Sequence, residues 1–172
     1  NKDRLIWKMQ LDTRMEFFRA FGHCLSASRQ FEEARAQFEK LRRTAPRQKD
    51  PESVGLALLK IGTNYHKQGD IESVIGFYER TREHATKHEL TMLASHALGN
   101  LGQIEVEVDP ESGIELLRES IELKKKCNDE VGIAGSTQVL AQAFAELGDF
   151  DSAIWHYNEA EALAKDLQLV YV

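Results

Sequence analysis

A glycine–aspartate turn with similar neighbours occurs twice in the sequence, as QGDIESVIGFYER at 68–80 and as LGDFDSAIWHYNE at 147–159. The related segment VDPESGIELLRES lies midway between these two copies. Another, RQFEEARAQFEKL, lies about 40 residues before the first copy. The equivalent anchor positions are Gln30, Asp70, Asp109 and Asp149, separated by 40, 39 and 40 residues (70 − 30, 109 − 70 and 149 − 109). A fixed period of this length across 172 residues restricts the fold to an array of repeated units.

Each repeat has the residue pattern of two antiparallel helices. About 16 residues with helical apolar spacing precede each anchor, and a similar stretch follows it. Small residues recur before the anchor at Gly22, Gly62, Gly102 and Ala141, and four positions after it at Ala34, Val74, Gly113 and Ala153. Large residues recur eight positions after it, at Phe38, Tyr78, Leu117 and Tyr157. Because a single hairpin cannot bury its apolar face alone, the pattern predicts hairpins stacked into a solenoid.

The residues at the turns indicate where the helices end and begin. Gly69 and Gly148 are placed to end a helix in the left-handed conformation, which costs glycine little. Asp70 and Asp149 are placed to cap the next helix by accepting from its free amides. The pairs Asp50-Pro51 and Asp109-Pro110 predict two further helix starts of the same kind.

The third repeat departs from the pattern. In the other repeats a large residue lies five positions before the anchor, at Leu25, Tyr65 and Phe144. The third repeat is one residue shorter before its anchor, so Glu105 takes the equivalent position. The missing turn residue predicts weaker local packing and a flexible joint.

These features resemble the tetratricopeptide repeat (TPR) family. The matching residues are Ile61, Gly62, Tyr65, Gly69, Asp70 and Tyr78 in one unit, and Leu140, Ala141, Phe144, Gly148, Asp149, Ala153, Tyr157 and Ala160 in another. The family's usual unit has 34 residues, whereas this unit is near 40 and lacks the final proline. It is similar to the longer variant of kinesin light chains, spindle-orientation scaffolds and bacterial peptide-sensing or transcription regulators. The resemblance implies an all-α, right-handed superhelix of antiparallel hairpins.

The domain prediction is one array over residues 1–172, with repeats at about 13–50, 51–89, 90–129 and 130–169. Thr13 and Glu16 match a capping box at the start of the first repeat. Residues 1–11, with Leu5, Ile6 and Met9, are then interpreted as the end of a preceding helix, although a single helix over 3–28 is an alternative. Another unit is expected to begin at Leu167, Leu169, Val170 and Tyr171.

Composition narrows the classes of partner. The net charge of −6 argues against nucleic acid, whose phosphates favour basic surfaces. The sequence lacks an apolar run near the roughly 20 residues that cross a membrane, so no membrane partner is expected. The two cysteines, Cys24 and Cys127, form neither a metal spacing nor a disulfide framework, which predicts a reducing, cytoplasmic location.

Several short patterns resemble reactive sites. His84 and His88 have a zinc-compatible spacing, but no known ligand pattern completes it. His23-Cys24 cannot pair on a helix, where neighbouring residues diverge by about 100°; Cys24 is interpreted as a buried small hydrophobe.

The stretch GIAGST at 132–137 lacks the lysine of a phosphate loop. The basic runs 40–43 and 124–126 are interpreted as solvated helix ends. The sequence therefore predicts neither an enzyme nor a cofactor.

Repeat geometry predicts a peptide site on the inner, concave wall, which the leading helices of the hairpins line. The expected groove residues are Arg19, His23, Leu59, Thr63, Lys67, Gln103, Glu107, Gln138, Gln142 and Glu146. Arg19 and Lys67 are the cations expected there, and an asparagine ladder is missing. That composition argues against the basic, asparagine-rich clamp with which some family members bind chaperone tails.

The predicted function is a non-catalytic scaffold that binds a peptide or helix in this groove. One alternative is the sensor or regulatory arm of a larger ATPase or transcription regulator. A second alternative is self-association through the ends, where Leu5, Ile6, Trp7, Val170 and Tyr171 would expose apolar surface.

Overall fold

The computed structural model describes residues 10–169, with the backbone alone at 47, 48, 168 and 169. This part of the chain contains eight α-helices, one short 3₁₀ helix and no strand. The helices are α1 (Leu11–Ala27), α2 (Phe31–Thr44), the 3₁₀ helix (Ala45–Gln48), α3 (Pro51–Gln68), α4 (Ile71–Lys87), α5 (Thr91–Glu105), α6 (Pro110–Lys126), α7 (Glu130–Glu146) and α8 (Phe150–Leu169). The expectations for Leu5, Ile6, Trp7, Met9, Val170 and Tyr171 lie outside the described residues.

The chain divides into two compact units, Asn1–His88 and Glu89–Val172. The first contains α1 to α4 and the second contains α5 to α8, and within each unit consecutive helices pack against one another. The prediction of an all-α array of antiparallel helix hairpins is confirmed. None of the described helices combines the length and the hydropathy needed to cross a membrane.

The predicted caps are present at the helix starts. The carboxylates of Asp50, Asp70 and Asp149 accept from the backbone N–H three residues later at 2.9, 3.1 and 3.1 Å. Asp109 does the same for Ser112 at 3.4 Å, and Asp129 caps α7 through Gly132 at 2.9 Å. These bonds satisfy amides that the first helical turn leaves without partners.

Two positions before the first residue of most helices, the backbone adopts the left-handed conformation with positive φ. Gly69 and Gly148 adopt φ values of 78° and 76°, as the sequence predicts. The same conformation occurs at the non-glycine residues Arg29, Lys49, Glu89 and Asn128. The positions 29, 49, 69 and 89 recur every 20 residues, so the basic period of the backbone is one helix and its turn.

The third repeat's turn between α5 and α6 omits the left-handed residue. The Asp109 amide donates to Glu105 O four residues earlier, whereas the Asp70 amide reaches Tyr65 O, five residues earlier. Val106 becomes buried, 2% exposed, and an added Cβ on Gly113 would lie 2.6 Å from Val106 Cγ2. Because Val106 packs against Gly113, the expectation of weak packing at this turn is wrong, whereas the flexible joint stays a prediction.

Small residues allow the helices of three hairpins to approach closely. An added Cβ would lie 2.9 Å from the Phe38 ring at Gly22 and 2.8 Å from the Tyr78 ring at Gly62. At Gly102 it would lie 2.9 Å from Leu117 Cγ. In the fourth hairpin Ala141 replaces the glycine, and Tyr157 is 44% exposed rather than buried.

Two predicted boundaries are wrong. Helix α1 begins at Leu11 and its N-cap is Gln10, so Thr13 lies inside the helix rather than at a capping box. The Arg14 amide donates to Gln10 O at 3.0 Å, a helical hydrogen bond whose turn already includes Thr13. At the other end, α8 continues to Leu169, so Leu167 belongs to the last helix and not to the start of another unit.

Candidate functional site

In the first unit, the leading helices α1 and α3 carry polar side chains on one exposed face. Arg19, His23 and Lys67 are exposed, and Thr63 is half-buried. Residues four apart lie on the same side of a helix, so Arg19 and His23 are neighbours on α1, as are Thr63 and Lys67 on α3. The predicted residues of this unit therefore form a polar surface.

Electrostatics show that the basic residues of this surface lie together. Partial burial lowers the pKa of His23, and the charges of Lys60, Arg19 and Lys67 lower that pKa further. Burial also lowers the pKa of Lys60, with a smaller contribution from Lys67. We call these four residues the basic cluster; two of them lie on α1 and two on α3. The cluster favours anionic ligands, because opposite charge relieves this mutual repulsion.

Sequence reasoning missed Lys60. It stands seven residues before Lys67, two helical turns away on the same face of α3, and this spacing was the signal that could have identified it.

Thr63 and Leu59 are tied into the packing of the hairpin. Thr63 Oγ1 donates to Leu59 O at 2.9 Å and also bonds to the buried Tyr78, whose pKa burial raises. Leu59 is 5% exposed. It therefore supports the polar surface from beneath rather than presenting a side chain to a ligand.

In the second unit, the predicted residues are exposed and carry no cation. Gln103 lies on α5, whereas Glu107 follows the end of that helix and lies in the turn before α6. Helix α7 carries Gln138, Gln142 and Glu146, all exposed. Gln138 borders an open cavity of about 280 Å³ between α7 and α8, whose other lining residues are Ala134, Gly135, Tyr157, Ala160, Glu161 and Ala164.

The histidine pair of α4 lies at a cavity of about 380 Å³. The rings of His84 and His88 are 4.5 Å apart. His84 Nε2 lies 2.7 Å from Pro51 O, and because a carbonyl only accepts, this nitrogen carries the proton. Within residues 10–169, no three His, Cys, Asp or Glu side chains are grouped to hold a metal ion.

The lysine run at the end of α6 contains a buried member. Lys124 is 6% exposed, and its Nζ donates to Ser136 Oγ at 2.6 Å and to Gly132 O at 3.2 Å. Burial lowers its pKa, and the nearby Asp129 opposes that shift. The interpretation of Lys124 as solvated is wrong, because it continues the buried stripe of Leu117 and Ile121.

The cysteines also differ from expectation. Cys24 is exposed and Cys127 is partly buried. Cys24 lies beside the apolar stripe of α1 rather than on it, since Gly22 and Leu25 are the buried neighbours. Its interpretation as a buried residue is therefore wrong.

No protein-family model matches the sequence, and no curated protein is similar to it in sequence. Solved structures with the same fold include BtubC (BKLC) from P. vanneervenii, with a TM-score of 0.75 at 13% identity over 94% of this chain and 67% of that one. Aspartyl phosphate phosphatase F from Bacillus subtilis gives a TM-score of 0.72 at 14% identity over 94% of this chain and 52% of its own. A Podosopora anserina protein with nearly identical TPR-like repeats gives 0.66 at 16% identity, over 90% of this chain and 76% of that chain.

These likenesses agree with the repeat pattern of the sequence, with the capped hairpins and with the glycine-to-aromatic contacts of the first two repeats. The chain therefore has the fold of a tetratricopeptide-type array of helix hairpins.

Proposed function

We propose that the protein is a non-catalytic scaffold that binds a peptide or a helix of a partner protein on the polar face of its leading helices. The observation that carries the proposal is the basic cluster, in which Arg19, His23, Lys60 and Lys67 lie together despite their mutual repulsion. Like charges held together on a folded surface are stabilised when an anionic ligand binds.

The side chains of this face suit a peptide ligand. Glutamine both donates and accepts hydrogen bonds, so Gln103, Gln138 and Gln142 can bind the backbone groups of an extended chain. The cations of the first unit favour carboxylates, whereas Glu107 and Glu146 favour basic residues. We therefore propose that the first unit favours an acidic ligand segment and that the second favours a neutral or basic one. The proposed contacts are Arg19, His23, Lys60, Thr63, Lys67, Gln103, Glu107, Gln138, Gln142 and Glu146.

The likeness to aspartyl phosphate phosphatase F supports a second candidate. This chain covers 52% of that protein, so hairpins of this kind also form part of a larger protein. We propose as the alternative that the array is the regulatory arm of a larger regulator. Under both candidates we propose a cytoplasmic protein whose partner is a protein rather than nucleic acid or membrane.

Selection of ligands from a random peptide display library tests the main candidate. The wild-type chain is compared with R19E/K67E and with the matched variant K40E/K87E, which makes the same charge change at exposed positions of α2 and α4. We expect selected peptides to bind R19E/K67E at least about tenfold more weakly, a difference of about 1.4 kcal/mol. Fluorescence anisotropy with labelled peptides measures the affinities.

The control variant should bind within about twofold of wild type, because small effects are usual for surface changes away from a site. Circular dichroism must show that both variants fold. Peptides that bind all three proteins equally would place the site elsewhere, and a library that yields no binder would contradict the scaffold function.

A further inference from the structure

Charge is divided unequally between the two compact units. Residues 1–88 contain 17 Lys and Arg and 12 Asp and Glu, for a net charge of +5 (17 − 12). Residues 89–172 contain the remaining 5 basic and 16 acidic residues, for a net charge of −11 (5 − 16). The total of −6 therefore conceals a basic unit and an acidic unit. The basic unit of one copy therefore attracts the acidic unit of a second copy.

The basic unit has an open cavity of about 370 Å³ lined by α2, α3 and α4. Its apolar part is formed by Ile61 and by the rings of Tyr65 and Phe77, which stack with centroids 5.4 Å apart. The guanidinium of Arg35 lies 4.1 Å from the centre of the Tyr65 ring, and that of Arg80 lies 4.9 Å from the Phe77 ring. We call this site the arginine–aromatic cavity. It offers two positioned cations beside an apolar surface.

The two arginines remain available for a ligand. Arg42, which also lines the cavity, is held by Glu39 at 2.6 and 2.7 Å. Its hydrogen bond is the main reason that the pKa of Glu39 falls to about 2. By contrast, neither Arg35 nor Arg80 forms an ion pair with a carboxylate of the described residues. Arg35 donates to the neutral amide of Gln68.

This cavity is separate from the proposed peptide surface. Ile61 and Tyr65 lie on one side of α3, whereas Thr63 and Lys67 are about 200° further round the same helix. A ligand in the cavity therefore leaves the basic cluster free, and each site can be altered without the other.

The acidic unit presents a complementary turn between α7 and α8. Phe150 is 66% exposed, and it is flanked by the exposed residues Asp149 and Asp151. The position of the turn is fixed, because Gly148 adopts φ 76° and Asp149 caps α8 through Ser152 at 3.1 Å. An exposed aromatic side chain between two carboxylates matches a cavity that has aromatic rings between two guanidinium groups.

We propose that the arginine–aromatic cavity of one copy binds the 149–151 turn of a second copy. Phe150 packs against Ile61, Tyr65 and Phe77, while the aspartates meet Arg35 and Arg80. The two surfaces differ, so the contact is head-to-tail and leaves one cavity and one turn unoccupied in every open chain. The weight-average mass should therefore rise with concentration as copies associate. This surface is distinct from the terminal residues that the sequence suggested for self-association.

The contact is small and electrostatic. A single turn in an open cavity lies at the low end of interface sizes, so we expect a dissociation constant on the order of 100 µM. Ion pairs between exposed groups weaken with salt, so added salt should reduce the association.

Sedimentation velocity from about 5 to 500 µM, which brackets this dissociation constant, tests the proposal. At low salt the weight-average mass of the wild type should rise with concentration above the monomer mass of 19.6 kDa. Variant R35Q/R80Q, which lacks the cationic cavity, and variant F150S/D151N, which lacks the turn, should each remain monomeric. An equimolar mixture of the two should approach the heterodimer mass of 39.2 kDa (2 × 19.6), because one supplies an intact turn and the other an intact cavity.

Matched variants separate this contact from general charge effects. K40Q/K87Q removes two exposed cations from α2 and α4, and E119Q/V131S removes an exposed acid and an exposed apolar residue from the second unit. Both should associate as the wild type does. A wild type that stays at 19.6 kDa throughout, or a mixture that stays monomeric, would overturn the proposal. The outcome is independent of the proposed function, because R19E/K67E should still self-associate and R35Q/R80Q should still bind the selected peptides.

Discussion

The two compact units share one helical architecture but differ in what they place at equivalent positions. Fifteen residues after the anchor, the first unit has the buried alanines Ala45 and Ala85, whereas the second has the buried Lys124. The leading helices carry a basic cluster in the first unit and neutral or acidic side chains in the second. Repeat geometry therefore determines the positions of helices and turns, while it leaves charge free to differ between units.

Replacing Lys124 with alanine tests this difference most strongly. The variant K124A gives the second unit the residue of the first, but it removes the amine that bonds Ser136 and Gly132 and leaves a cavity. We expect the free energy of unfolding to fall by about 2 to 4 kcal/mol. The exposed neighbour supplies the control, since K126A should change stability by less than about 0.5 kcal/mol. Urea denaturation of both variants measures the two effects.

The dependence of stability on pH follows from the same residue. The folded state lowers the pKa of Lys124 below 10.5, so the unfolded chain binds more protons between that lowered value and pH 10.5. The free energy of unfolding should rise with pH across this window in the wild type relative to K124M. Equal slopes in the two proteins would show that the lysine is not buried as the structure places it.

Paired glycines test whether close helix packing is shared by both units. At Gly62 and Gly102 an added Cβ meets Tyr78 or Leu117 within 3 Å, so G62A and G102A should each cost about 1 to 3 kcal/mol. At Gly76 and Gly135 an added Cβ meets nothing within 4 Å, so G76A and G135A should each stabilise by about 0.5 to 1 kcal/mol. Thermal unfolding of the four variants gives the sign of each effect. The same sign at all four would show that contact with the added Cβ does not decide stability at these glycines.

The helix caps should show a smaller effect. Asp149 caps α8, whereas Gln30 makes no cap bond with its side chain, so D149A should destabilise the protein and Q30D should stabilise it by up to about 1 kcal/mol. The pKa of Asp149 is lowered from 3.8, mainly by its bonds to Ser152, so its contribution is lost as pH falls below that value. D149N should keep the cap and lose this acid sensitivity, as measured by denaturation at pH 3 and pH 6.

The left-handed residues give the smallest expected effect. Arg29 and Asn128 both adopt positive φ at equivalent turns of the two units. Asparagine tolerates this conformation better than arginine, so R29G should stabilise by up to about 1 kcal/mol and N128G by less. Equal gains in thermal unfolding would show that the two turns are strained alike.

The sequence predicts what depends on local patterns. The anchor spacing identifies the hairpins, and the Asp-Pro and Gly-Asp pairs identify caps because capping needs only the next three residues. Thr13 does not act as a cap because it lies inside the first turn of α1, where the Arg14 amide donates to Gln10 O. The capping-box pattern alone therefore does not locate the start of this helix.

The candidate site was partly predictable for the same reason. Helical spacing places Arg19 and His23 on one face of α1 and Thr63 and Lys67 on one face of α3, and the seven-residue spacing from Lys67 would also have identified Lys60. Extending the apolar stripe of α6 would have identified the buried Lys124. The arginine–aromatic cavity could not be predicted from one helix. It depends on side chains of α2, α3 and α4 that meet only after the hairpins pack.

The most direct test of the proposed peptide surface is a nuclear magnetic resonance footprint of a bound peptide. Backbone amide shifts are recorded for the assigned protein with and without a peptide selected on the wild type. We expect the largest changes on the leading helices, around His23 and Thr63 in the first unit and around Gln103 and Gln142 in the second. Changes confined to α2, α4, α6 and α8 would contradict this prediction.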